Sequence, residues 1–127
     1  MPFQFTKHYT REEARALLPQ VRLWLDELTR IARELGEYES RLGQALGLGD
    51  DLGGDLVNRS VEAMASFKEL IAKFQEREIQ IKDLDRGLID FPSLIGEKEV
   101  FLCWEKDEDD IEFWHDLDSG YAGREKI

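Results

Sequence analysis

The sequence predicts an α+β protein that is mainly helical, with a long antiparallel helical hairpin followed by a small antiparallel β-meander. Apolar residues recur at the helical spacing of three and four through the first two thirds of the 127-residue chain. After Gly87 this spacing gives way to short runs of β-branched and aromatic residues, which are typical of strands. We therefore expect a single domain with helix 1 at residues 10–46, helix 2 at residues 55–86, and the meander with a C-terminal turn at residues 88–127.

Helix 1 begins with a capping box, because Thr10 is followed three residues later by Glu13. Behind it, a series of apolar residues keeps the four-three spacing from Ala14 to Leu46. A third apolar column follows at intervals of seven: Leu17, Trp24, Ile31 and Tyr38. Three apolar positions per heptad indicate a helix that packs against more than one neighbour.

Glycines and aspartates between residues 47 and 55 end helix 1, with Asp55 as the expected N-cap of helix 2. The second helical pattern is apolar at Val57, Val61, Met64, Phe67, Ile71, Phe74, Ile81 and Leu84. A short loop between two helices requires them to run antiparallel, so the two form a hairpin roughly 45–50 Å long.

The meander is expected to place Cys103 and His115 on one face of adjacent strands. If Glu105 pairs with Ile111, Cys103 lies opposite Phe113, and His115 lies opposite Phe101. Diagonal residues of this kind are roughly 7–8 Å apart. A Cys–His nucleophile pair needs hydrogen-bond contact, so the spacing disfavours a thiol enzyme, and we expect no catalytic residues.

The composition of the chain argues against several classes of function and location. A net charge of −11 argues against direct binding to nucleic acid, because that binding depends on Lys and Arg neutralising phosphates. Cys103 is the only cysteine, which excludes an intrachain disulfide. The start lacks a signal-peptide pattern, and no stretch approaches the roughly 20 apolar residues of a membrane span. We therefore expect a cytoplasmic protein with no membrane contact.

Four short motifs resemble one known family. They are Gly-Leu-Ile-Asp-Phe-Pro at 87–92, Val-Phe-Leu-Cys-Trp at 100–104, Phe-Trp-His at 113–115 and Gly-Tyr-Ala-Gly-Arg at 120–124. Together they resemble the signature of an uncharacterised bacterial family, domain of unknown function 2203, and residues 5–19 resemble its start. The resemblance covers nearly the whole chain but implies no activity, substrate or cofactor. The chain departs from the family pattern at Glu125-Lys126.

Two small sites are candidates in the C-terminal region. An anion or small ligand could be bound by aromatic rings and a guanidinium, from Trp104, Trp114, His115, Tyr121 and Arg124. A divalent metal could be held by His115, Asp116 and Asp118, which offer nitrogen and oxygen ligands. The simpler alternatives are aromatic core packing, Arg124 paired with a nearby carboxylate, and His115 hydrogen-bonded to a neighbouring carboxylate.

The tip of the hairpin suggests a further alternative. Asp50 and Asp51 give it acidic character. In outline it resembles bacterial hairpin factors whose tip carboxylates approach the catalytic Mg²⁺ of RNA polymerase. A solvated loop that caps helix 2 explains the same residues.

The leading functional hypothesis is a non-enzymatic interaction or assembly protein that acts through its helical surface. We predict a homodimer formed through the helices, with the column of Leu17, Trp24, Ile31 and Tyr38 as interface, because the hairpin gives helix 1 only one partner helix. The rival explanation is that the meander covers this column within one chain. The second hypothesis is a small-ligand or metal-binding protein, a class in which we include enzymes. Its site is expected near Trp104, Trp114, His115 and Arg124. The sequence identifies no cofactor and no particular protein partner.

Overall fold

A computed structural model describes residues 2–48 and 54–127 and has the predicted fold class. Two helices come first, α1 at Arg11–Leu48 and α2 at Gly54–Glu76. Five strands follow: β1 at Gln80–Asp83, β2 at Leu88–Ile95, β3 at Lys98–Glu105, β4 at Phe113–Asp116 and β5 at Glu125–Lys126. A short 3₁₀ turn at Tyr121–Gly123 precedes β5. Within the described residues, no helix is both long enough and apolar enough to cross a membrane.

The capping box at the start of α1 is formed as predicted. The Thr10 hydroxyl accepts a hydrogen bond from the Glu13 N–H at 3.1 Å, and the Glu13 carboxylate accepts one from the Thr10 N–H at 2.9 Å. The apolar series then lies in the core, where its buried members are Ala14, Leu18, Val21, Leu25 and Leu28. This helix therefore begins and packs as its sequence pattern predicts.

The predicted end of helix 2 is wrong: α2 ends at Glu76 and not at residue 86. Glu78 has a positive φ of 56°, and its N–H donates to the Gln75 carbonyl at 3.0 Å. The Ile79 N–H donates to the Phe74 carbonyl at 3.0 Å, which completes a Schellman motif. Ile79 and Phe74 are both buried, as the hydrophobic contact of that motif requires. Ile81 consequently lies in β1, a strand that the helical spacing concealed.

The sheet is a simple antiparallel meander in the order β1-β2-β3-β4-β5. The predicted register between β3 and β4 is confirmed, because Cys103 pairs with Phe113 and Phe101 pairs with His115. Pro92 lies inside β2, beyond the last residue that pairs with β1. The missing N–H of Pro92 therefore leaves no gap in the β1 ladder, as is usual for proline in strands.

The two faces of the sheet have different roles. On the inner face, Ile89, Phe91, Leu102 and Trp104 are buried in one cluster with the apolar side chains of α1 and α2. The outer face carries the alternate residues of the same strands. At one end of the sheet the N-terminal segment crosses it, where the Tyr9 N–H donates to the carbonyl of Pro92 at 2.7 Å.

Only part of the hairpin is covered by the sheet. The core uses α1 as far as Ile31 and α2 from Leu70 onward. Beyond these points, no described side chain of residues 32–44 or 54–69 is buried. We call residues 32–48 of α1 together with residues 54–69 of α2 the arm. At about 1.5 Å per residue, the arm extends roughly 25 Å past the last buried residue of α1.

Candidate functional site

The five side chains predicted as a ligand site do not converge, because they lie on both faces of the sheet. Trp104 is fully buried on the inner face, where its Nε1–H donates to the Glu108 carbonyl at 2.9 Å. The guanidinium of Arg22 lies 4.9 Å from the centre of its ring. Trp114 packs from the same face against the core cluster, whereas His115, the next residue, is directed to the outer face. Trp104 thus takes the core role that was the simpler alternative.

Arg124 belongs to the outer face and is held by its neighbours. Its guanidinium pairs with the Glu108 carboxylate at 2.5 Å and lies over the rings of Phe113 and Tyr121, at 3.8 and 4.7 Å. This is the predicted alternative in which Arg124 pairs with a nearby carboxylate. The pockets that the described residues form between the helices, beside residues 116–119 and at the α2–β1 junction are lined by other residues.

The predicted metal set of His115, Asp116 and Asp118 is not brought together. The Asp116 carboxylate is exposed and pairs with Lys98 at 2.6 Å. Asp118 is exposed on the turn that follows. Toward Asp116, the His115 ring makes a hydrogen bond to a backbone atom and not to the carboxylate: Nδ1 lies 2.7 Å from the Asp116 carbonyl oxygen. His115 is therefore available to a different set of residues.

A buried cluster of three chemically active side chains lies on the outer face, and we call Asp90, Cys103 and His115 the outer-face cluster. Asp90 pairs directly with Cys103 across β2 and β3, and on β4 His115 lies two residues beyond Phe113, opposite Phe101. All three side chains are buried. A carboxylate oxygen, the thiol sulfur and an imidazole nitrogen lie within 4.8 Å of one another. These three atoms are thus closer together than the roughly 7–8 Å that separates the backbones of diagonal neighbours in a sheet.

Hydrogen bonding fixes the protons of this cluster. A carbonyl only accepts, so the His115 Nδ1 carries a proton and donates it to Asp116. Nε2 lies 3.0 Å from Oδ2 of Asp90, which requires one proton shared between these two atoms. Burial raises the pKa of Asp90, while the charge of His115 and hydrogen bonds from His115 and the Cys103 thiol oppose that rise. Oδ1 of Asp90 is buried and has no hydrogen-bond partner among the described residues.

The thiol of Cys103 is a poor nucleophile in this setting. Burial raises its pKa far above the ordinary value, and the charge of Asp90 raises it further. The attacking species in thiol catalysis is the thiolate, which this environment disfavours. The side-chain atoms nevertheless approach one another more closely than the backbone register suggested.

The sequence reasoning missed Asp90. It lies in the run Leu-Ile-Asp-Phe-Pro at 88–92, where the other four residues are apolar. A carboxylate inside a buried strand is rare unless it is paired or coordinates a metal. The single acidic residue within this apolar run was the signal in the sequence that could have identified Asp90. Pairing Asp90 with Cys103 in the strand register would then have placed it beside Cys103 and His115.

The column predicted as the dimer interface is largely covered within one chain. Trp24 is only 9% exposed and meets Phe74 edge to face at 5.5 Å, and Ile31 is 4% exposed. Leu17 is half-buried against the core, and Tyr38 is half-buried on the arm. A second copy is therefore not needed to cover Trp24 or Ile31, and of this column only Tyr38 lies on the uncovered part of the hairpin.

The acidic tip, Asp50 and Asp51, lies outside the described residues. The polymerase hypothesis that rests on it stays a prediction.

Comparison with known proteins gives one match. The family described as "Uncharacterized conserved protein (DUF2203)" matches residues 7–127. No curated protein and no solved structure matches the chain.

Proposed function

The chain belongs to the DUF2203 family of uncharacterised proteins, and we propose that it is a non-enzymatic assembly protein that pairs with a second copy of itself through the arm. In this proposal two arms pack side by side as a four-helix bundle, and the two sheets lie outside it.

The observation that carries the proposal is an apolar stripe on the arm. Val57, Val61 and Met64 recur at i, i+4 and i+7 and so lie on one side of α2. Val61 is 62% exposed and Met64 is 42% exposed. Single exposed apolar residues are ordinary, but a stripe of them along a helix is typical of a surface that binds another helix.

The facing helix adds to this surface. Leu35, Tyr38 and Leu42 continue the apolar spacing along α1 and are only half-buried. Two helices alone cannot bury apolar side chains on all sides, because each covers only one stripe of the other. Two further helices supply the missing contacts, which is the arrangement of a four-helix bundle.

The charges of the arm favour a second copy over a strongly charged partner. Residues 32–44 and 54–69 carry six acidic and four basic residues, a net charge of −2 out of the −11 of the whole chain. Some of these charges already pair within a helix, as Arg59 does with Asp55 at 3.3 Å. Of the remaining charge of −9, a charge of −2 belongs to Asp50 and Asp51 in the segment between the two parts of the arm, and −7 lies outside residues 32–69. Most of the acidic charge therefore stays apart when two arms meet.

Sedimentation equilibrium with matched variants tests the proposal. The wild type should sediment at twice the chain mass of 14.8 kDa at micromolar concentration. Val61→Glu places a charge in the stripe and should give the single-chain mass. Leu23→Glu is the control, because Leu23 is 63% exposed on α1 outside the arm and its replacement should leave the dimer intact.

A wild type that sediments at 14.8 kDa would refute the self-pairing. A dimer that Leu23→Glu disrupts and Val61→Glu leaves intact would place the interface elsewhere.

A further inference from the structure

We propose that the outer-face cluster is a binding site for one divalent transition-metal ion, Zn²⁺ being the best match, with Asp90, Cys103 and His115 as its three protein ligands. This site is independent of the arm and of the self-pairing proposed above.

The ligand set fits such an ion chemically. A thiolate, an imidazole and a carboxylate are the three side-chain ligand types of zinc, whereas Mg²⁺ and Ca²⁺ favour oxygen ligands alone. Zinc with these ligands holds the ligand atoms roughly 3.3–3.8 Å apart in tetrahedral geometry. Since the three atoms already lie within 4.8 Å of one another, side-chain movements on the order of 1 Å bring them to an ion.

The histidine is oriented as metal-binding histidines are. Its Nδ1–H donates to the Asp116 carbonyl at 2.7 Å, which leaves Nε2 as the nitrogen directed at Asp90. A backbone carbonyl that fixes the second nitrogen in this way is the usual outer partner of a ligating imidazole.

The carboxylate is incompletely satisfied by the described residues. The Cys103 thiol, a weak donor, lowers the pKa of Asp90, but no nitrogen or oxygen donor of the described residues bonds Oδ1, and the side chain is about 1% exposed. A buried, unpaired carboxylate oxygen carries a large desolvation cost. An ion bound to Oδ1 would satisfy this oxygen.

The charges balance when an ion binds. Without metal, the thiol is neutral, and Asp90 with His115 shares one proton, so the cluster has no net charge. Binding of Zn²⁺ releases the thiol proton and the shared proton, which leaves one thiolate, one carboxylate and one neutral imidazole around the ion. The bound cluster is again neutral, because two negative ligands offset the two positive charges. A buried site can accept this exchange, as no net charge is added to the interior.

The test uses the metal-free protein titrated with Zn²⁺ and Co²⁺. We expect one ion per chain and, by calorimetry in buffers of different ionisation enthalpy, release of about two protons per ion at neutral pH. The Co²⁺ complex should show thiolate-to-cobalt charge-transfer absorption. Because Cys103 is the only cysteine, this band reports on it without any substitution.

Variants locate the site. Cys103→Ala and Asp90→Asn should each weaken binding by at least about 100-fold, more than loss of an outer partner does. Asp118→Asn is the control and should bind as the wild type does, because Asp118 is exposed and makes no part of the cluster, with circular dichroism confirming the fold of each variant. Wild-type protein that binds neither ion, a Co²⁺ complex without the thiolate band, or Cys103→Ala and Asp90→Asn variants that bind as tightly as the wild type would overturn the proposal.

Discussion

Residue 78 offers a direct test of where α2 ends. Glu78 has a φ of 56°, in the left-handed region that glycine adopts freely and other residues avoid. Its carboxylate accepts hydrogen bonds from the Thr6 hydroxyl and, at 3.0 Å, from the Thr6 N–H. Glu78→Ala and Glu78→Gly both remove these bonds, so the difference in stability between the two variants reports on the backbone alone.

The sign of that difference depends on the local structure. In the left-handed conformation, alanine is less favourable than glycine by roughly 1–2 kcal/mol. The greater entropy of glycine in the unfolded state offsets about 0.4–1 kcal/mol of this difference. At the midpoints of these ranges, the glycine variant should therefore be the more stable of the two by about 0.8 kcal/mol. If α2 continued to residue 86 as the apolar spacing predicted, glycine would instead be less stable by about 1 kcal/mol.

Urea unfolding followed by circular dichroism resolves a difference of this size. We expect a higher midpoint for Glu78→Gly than for Glu78→Ala, with equal slopes. An alanine variant that is as stable as the glycine variant, or more stable, would refute the Schellman ending of α2.

Three further predictions concern the core, the thiol and the N-terminal segment. Trp24→Ala should lower the free energy of unfolding by about 3 kcal/mol or more. Leu23→Ala, one residue away but 63% exposed, should change it by less than about 0.5 kcal/mol. Equal effects of the two variants in urea unfolding would contradict the burial of Trp24. Cys103 should react with a thiol reagent at pH 8 at least about 100-fold more slowly in the native state than in guanidinium, because burial raises its pKa; similar rates would show an accessible thiolate. Burial raises the pKa of Glu99, but hydrogen bonds from His8 and from the N–H groups of Gln4 and Phe5 lower it further than burial raises it. The ionised Glu99 carboxylate therefore stabilises the fold above its ordinary pKa of 4.5, and this contribution is lost as the pH falls through the lowered pKa. Glu99→Gln should thus lower the unfolding free energy at pH 7 and progressively less below pH 4.5. A difference in unfolding free energy between variant and wild type that is the same at pH 7 and pH 3 would contradict this linkage.

The elements that the sequence predicted well depend on local and regular signals. The capping box at Thr10 and Glu13 and the spacing of apolar residues in α1 are local features, and both are found in the structure. The pairing of Cys103 with Phe113 was also predicted, because strand register follows from alternation once one turn is placed.

The elements that were missed depend on contacts between distant parts of the chain. Ile81 and Leu84 continue the helical spacing of α2, yet the chain turns at Glu78, where Thr6 from the N-terminal segment binds the carboxylate. The cluster of Asp90, Cys103 and His115 comes from three strands, and its shared burial depends on how the sheet is covered on both faces. Trp24, which was predicted to lie in a dimer interface, is instead covered within the chain, because Phe74 of α2 packs against its ring.

The claim that two copies pair through the arm can be tested by distances between spin labels. In a Cys103→Ala background, a single label would be attached at Glu37→Cys on the arm or at Glu97→Cys in the turn between β2 and β3, both exposed. Pulsed electron paramagnetic resonance should give a narrow distribution of short label-to-label distances between the two copies for the arm label, and longer distances for the sheet label. Absence of any dipolar signal from either label, or shorter distances for Glu97 than for Glu37, would contradict assembly through the arm.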